Sequence, residues 1–63
     1  MQHFLVPAMS CDHCVRVITE TIRALDAQAR VSADLASRMV RVETEQPRLA
    51  VVAALAEAGY PPA

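Results

Sequence analysis

Both cysteines of this chain, Cys11 and Cys14, lie in the stretch MSCDHC, with Asp12 and His13 between them. A thiol pair so spaced can hold a soft metal ion, cycle between dithiol and disulfide, or staple the chain. The staple is the weakest reading. A bridge over so short a loop constrains the unfolded chain little, and stapled mini-domains usually carry several bridges between distant segments. The other two readings need thiolate. At the start of a helix, unpaired backbone N–H groups and the helix dipole stabilise negative charge, so at least one thiol pKa falls below its free value of about 8.5. The i, i+3 spacing lets both sulfurs converge on one point, and soft thiolates select Cu(I), with Zn(II) as the usual competitor.

Ligand count separates the metals. A structural Zn(II) site almost always takes four protein ligands, and this chain has two Cys and two His, with His13 inside the motif and His3 on a predicted strand. A closed site in one chain is therefore disfavoured. Cu(I) accepts fewer ligands, so an exposed two-thiolate loop leaves a place for a partner's sulfur. That predicts ligand exchange, in which an incoming cysteine binds before Cys11 or Cys14 lets go. The alternatives are a thiol–disulfide oxidoreductase, for which the chain is short and lacks a substrate-binding frame, and a Zn(II) or Hg(II) binder. Clustered methionine would suit copper too, but Met1 and Met39 stand apart and read as terminus and strand filler.

The elements that must position the pair follow from periodicity. In QHFLV (2–6), Phe4 and Val6 share one face, and Pro7 ends the strand. From Cys14 onward Val17, Ile18, Thr21, Ile22 and Leu25 repeat at helical spacing, predicting a helix from Cys11 or Asp12 to Leu25. Ser10 is the expected N-cap, and Asp12 places negative charge in the first turn. Val31, Ala33 and Leu35 alternate, as do Val40 and Val42. With the connector near Ala36–Ser37, these two runs read as an antiparallel hairpin. Pro47 is expected in the first turn of a second helix that buries Leu49, Val52, Leu55 and Ala56 and stops at Gly59. The order strand, helix, strand, strand, helix, followed by YPPA, predicts an α+β, ferredoxin-like βαββαβ sandwich: two helices on one face of an antiparallel sheet, with the last strand abbreviated. A single domain spans 1–63.

The totals exclude other classes. Six basic residues, all arginine, stand against seven acidic ones for a net charge of −1, with no basic cluster of the kind nucleic acid requires. No apolar stretch approaches the roughly 20 residues of a membrane span. MQHFLVPAMS lacks the charged and apolar regions of an export signal, so the expected location is the cytoplasm. The initial Met1 favours a free-standing protein over a module of a larger transporter.

PAMSCDHCVRVI, with Phe4 and Val6 ahead of Met9, the hairpin pattern VSADL…VRV, and LAEAGY near the end, resembles the heavy-metal-associated domain family, and within it the bacterial copper chaperones. The resemblance spans nearly the whole chain. It implies a copper-carrying protein without enzyme activity, with Cys11 and Cys14 as Cu(I) ligands on the loop into the first helix. Met9 matches the methionine that packs under that loop as an anchor rather than a ligand. Tyr60 matches a residue near the metal loop, where its hydroxyl and ring would restrain the thiolates and shield the metal. Ser10 also favours Cu(I), since zinc-handling members tend to be acidic there. The implied partners are a P-type copper ATPase or its metal-binding domains, or a copper-responsive regulator. A copper-bridged homodimer through four cysteines is a further expectation. His13 reads first as a solvated helix-turn residue and second as an extra ligand or modulator of the thiolates. The chain departs from the family in Ala8, where glycine is common, in Pro61 and Pro62, and in lacking lysine, which leaves docking to Arg16, Arg23 and apolar contact.

Overall fold

The computed structural model describes residues 1–63. Its elements are β1 (Gln2–Leu5), α1 (Asp12–Leu25), β2 (Arg30–Asp34), β3 (Met39–Glu43) and α2 (Arg48–Glu57). Both strand pairs are antiparallel, and the sheet order is β1-β3-β2. Phe4 stands opposite Val40, and Val31 opposite Val42. One sheet face therefore gathers Phe4, Val40 and Val42 into the core, while His3, Ser32 and Arg41 share the exposed face. This is the ferredoxin-like sandwich that the alternating runs predict, with the helices over the apolar face.

In α1 the inward stripe is Cys14, Ile18 and Ile22, flanked by the half-buried Val15 and Leu25. Val17, expected on that face, is half-buried but stays off the core, and Val15 takes its place. One position along a helix is about a 100° turn, so the residue before Ile18 points well away from the stripe. Thr21 lies at the margin and donates its hydroxyl to the Val17 carbonyl at 2.7 Å.

The buried side of α2 differs from the expectation. Val51 and Leu55 are buried and Val52 half-buried, but Leu49 is 81% exposed and Ala56 is exposed. The segment RLAVVAALAE is apolar almost all round, so periodicity cannot choose a face, and docking against α1 chooses the Val51–Leu55 pair. Pro47 is the N-cap, with φ −64° and ψ 149°, rather than a first-turn residue. Its fixed φ suits either place, but an extended ψ ends the preceding segment there.

The sheet has three strands. Beyond α2 only one ladder-like bond reaches it, from the Ala63 N–H to the Leu5 carbonyl at 2.8 Å. Pro61 and Pro62 have no N–H to donate, so a fourth strand cannot form through them. Arg48 covers part of the edge so exposed. Its guanidinium donates to the His3 carbonyl at 3.0 Å and lies 4.3 Å from the centre of the Phe4 ring, shielding a strand edge that could otherwise pair with another chain.

Candidate metal centre

Cys11 is the N-cap of α1, with φ −153° and ψ 169°, and its side chain makes no capping bond. The expected cap, Ser10, lies one residue too early. This shift places both sulfurs at the helix's positive end, with Cys14 one turn in. Cys11 is exposed, whereas Cys14 is 9% exposed and belongs to the core. Both are free thiols, and their sulfurs are 3.2 Å apart. That separation suits an S–H···S⁻ contact and is well beyond the roughly 2.05 Å of a disulfide.

The second helix places the aromatic neighbour. At the end of α2 the Gly59 N–H bonds to the Ala56 carbonyl at 3.1 Å and the Tyr60 N–H to the Leu55 carbonyl at 2.8 Å. These are the two bonds of a Schellman motif, and they need a left-handed residue between helix and tail. Gly59 supplies it at φ +93°, where a side chain would be strained although the space is open. The chain then turns Tyr60 back against the core beside Cys14.

The Tyr60 hydroxyl, acting as a donor toward the Cys14 sulfur, is the main cause of a thiol pulled down from 9.0 to about 6; loop backbone around Ser10 and the Cys11 thiol add to it, while burial opposes them. The same contact holds the Tyr60 phenol proton, so its pKa rises. In the metal-free protein these contacts favour the thiolate form of Cys14. Alkylation of Cys14 by iodoacetamide, followed by mass spectrometry across pH, should be half-activated near pH 6, and Tyr60→Phe should move that point upward. Because folding depresses this acid's pKa, its contribution to stability is full above the unfolded value and disappears as pH falls through about 6. An unchanged midpoint in Tyr60→Phe would remove Tyr60 as the cause.

Cys11, Cys14 and Tyr60 thus meet at one end of the molecule, with Met9 buried at 0% exposure in the core below. His13 is exposed and joins no metal-binding group, and His3 lies on the exposed sheet face. No three His, Cys, Asp or Glu side chains are grouped to hold a metal ion. Two surface hollows exist, one lined by His3, Ser32, Asp34, Ser37, Met39 and Arg41 and the other around Asp26 and Glu43, and neither includes a cysteine. Both cysteines lie outside these hollows, Cys11 exposed and Cys14 buried beside it. Sequence reasoning missed the Ala8 carbonyl, which lies 3.9 Å from the Cys14 sulfur and faces its proton only in the thiol form. A main-chain atom leaves no mark in a side-chain pattern.

The sequence model of the heavy-metal-associated domain matches residues 3–61. The chain belongs to that family. Among solved structures, this heavy-metal-associated domain is 42% identical to a gold binding protein, covering 95% of this chain and 92% of that one, with a TM-score of 0.93. The copper chaperone Atx1 from Synechocystis PCC6803, in a trimeric form, is 30% identical over 100% of both chains, with a TM-score of 0.98. A protein of Agrobacterium tumefaciens is 35% identical over 98% of this chain and 97% of its own, with a TM-score of 0.88. No curated protein matches. Family and neighbours together identify a metal-trafficking domain rather than an enzyme. No helix is long and apolar enough to cross a membrane.

Proposed function

We propose that this heavy-metal-associated domain carries Cu(I) in the cytoplasm on Cys11 and Cys14 and passes it by thiolate exchange to a P-type copper ATPase or its metal-binding domains. The observation that carries this reading is a pair of free thiols 3.2 Å apart at an exposed helix start, with no third metal-binding side chain grouped with them. Such a donor set fits a soft ion of low coordination and does not close a four-ligand Zn(II) site. Likeness to copper chaperones and to a gold binding protein supports the same preference for a soft ion.

The geometry suggests an order of events. Two thiolates on a tetrahedral ion, each about 2.3 Å from it, stand about 3.8 Å apart, and a wider coordination angle separates them further. Closing on a metal therefore opens the pair beyond 3.2 Å. The exposed Cys11 is the free arm, while Cys14 is held in the core. An incoming thiolate takes the open side, Cys11 leaves first, and Cys14 leaves last. The same open side admits a second copy, giving a copper-bridged dimer through four cysteines when protein exceeds other acceptors.

The test is an anaerobic titration of the reduced protein with Cu(I) against a chromogenic Cu(I) chelator, with Zn(II) as competitor. One Cu(I) per chain, held against the chelator and not displaced by excess Zn(II), is expected. Copper stripped by the chelator while Zn(II) stays bound would sink the proposal.

A further inference from the structure

Arg38 is the only non-glycine residue with a positive φ, at 59°. Left-handed backbone is uncommon for a residue with a long side chain and persists where neighbouring contacts impose it. Here those contacts lead to one place. The Arg38 carbonyl accepts the Val6 N–H at 2.8 Å, and Arg38 Nη1 donates to the Pro7 carbonyl at 3.1 Å. Two successive residues of the segment leading to Cys11 are thereby tied to one residue of the β2–β3 turn.

That segment is itself a turn, closed by the Met9 N–H on the Val6 carbonyl at 3.0 Å. The carbonyls of Pro7 and Ala8 lie outside the closing bond. Arg38 takes the first, and the Cys14 sulfur faces the second at 3.9 Å. Pro7 has no N–H, so its carbonyl is the only backbone group through which this residue can be held. Next in the chain come Met9, fully buried, and then Ser10 and Cys11.

We propose that Arg38 is a positioning residue for the metal loop: through the Pro7 carbonyl and the Val6 N–H it holds the Val6–Met9 turn, and so the Ala8 carbonyl and Met9, in the place that sets Cys11 and Cys14 for exchange. The proposal rests on the reading of Cys11 and Cys14 as the metal pair. It assigns a function to an exposed arginine whose partner is 31 positions away. The left-handed backbone aims both the carbonyl and the side chain at the same loop.

The strained φ also provides the test. Glycine adopts it freely, so Arg38→Gly removes the side-chain clamp while easing the turn, and the fold should survive. Wild type, Arg38→Gly, Arg38→Lys and, as a charge control, Arg30→Ala are compared by amide hydrogen exchange without metal. The loaded proteins are then compared by the rate at which Cu(I) passes to excess chromogenic chelator.

In Arg38→Gly the Met9 amide should exchange about tenfold faster, the scale set by losing a hydrogen bond from a charged donor, while the Ile18 and Ile22 amides keep wild-type rates. Cu(I) release should rise about tenfold, the low end of what outer partners of metal ligands contribute. Arg38→Lys, a single-point donor, should recover part of both, and Arg30→Ala should change neither. A wild-type Met9 rate in Arg38→Gly would overturn the proposal, as would equal acceleration at Ile18 and Ile22. Faster Met9 exchange with unchanged Cu(I) release would also overturn it, leaving Arg38 as a turn residue alone. A wild-type protein that held no Cu(I) would sink the functional reading itself. The clamp on the turn is still decided in that case, because the Met9 amide is read without metal.

Discussion

Cys14→Ser is expected to lower Cu(I) affinity by on the order of 10²–10⁴-fold, the advantage that a second linked binding group gives over one acting alone. A serine hydroxyl is a hard, protonated donor at neutral pH and does not replace a soft thiolate. Cys11→Ser breaks the same chelate and should fall in the same range. The two variants differ in what remains. Cys11→Ser leaves the thiolate that Tyr60 and the loop backbone prepare, whereas Cys14→Ser removes it. The residual one-thiolate complex should therefore persist to lower pH in Cys11→Ser. Competition with a chromogenic chelator reads the affinity, and circular dichroism reads the fold. Cys14→Ser should remain folded, because Cys14 lies at the first turn of α1 with 9% of its surface exposed, where the small hydroxyl can reach water. Affinity within tenfold of wild type in both variants would mean that the metal pair lies elsewhere.

The placement of the cysteine loop was legible because its residues carry the chemistry in their own types. Two cysteines three apart before an amphipathic run place both sulfurs at a helix start whatever the rest of the chain does. The strands were equally readable, since Phe4, Val40 and Val42 alternate with polar neighbours and one face of each strand had to be buried. Gly59 marked the helix stop, and the family resemblance placed Tyr60 near the cysteine loop, where it packs against the core.

What escaped sequence reasoning has a common physical origin. The inward side of α2 escaped because Leu49, Val51, Val52 and Leu55 leave no polar face against which to read a stripe. Docking on α1, not periodicity, buried Val51 and exposed Leu49. Arg48 and Arg38 escaped because a long side chain's partner is set by tertiary approach. Neither the His3 carbonyl nor the Pro7 carbonyl is marked as an acceptor in a string of residue types. Arg38 also occupies a backbone region where glycine or asparagine would have signalled the turn. The cap of α1 moved from Ser10 to Cys11 for a related reason: no side chain caps this helix, so the usual preference for serine had no hydrogen bond to express it.

Met9→Ala separates the proposed anchor from the proposed ligands. Met9 is fully buried together with Phe4, Val6 and Ile18, so truncation leaves a cavity and should cost about 2–5 kcal/mol. A domain of 63 residues has a total stability of roughly 3–9 kcal/mol at the usual value per residue. The variant should therefore lose a large part of its stability. Its thermal midpoint should fall by roughly 8–40 °C, at about 4–8 °C per kcal/mol for a domain of this size. Met9→Leu nearly conserves volume and should cost less than about 1.5 kcal/mol. The decisive comparison is Cu(I) binding by the leucine variant. If Met9 serves only to hold the loop on the core, leucine keeps the affinity, because no thioether sulfur was coordinating. If Cu(I) affinity collapses in Met9→Leu while the thermal midpoint stays near wild type, the sulfur reaches the metal and the buried position opens on binding. Full burial in the metal-free fold favours the first result, since ligation through Met9 would require pulling a core side chain out from beneath the loop that Cys11 and Cys14 occupy.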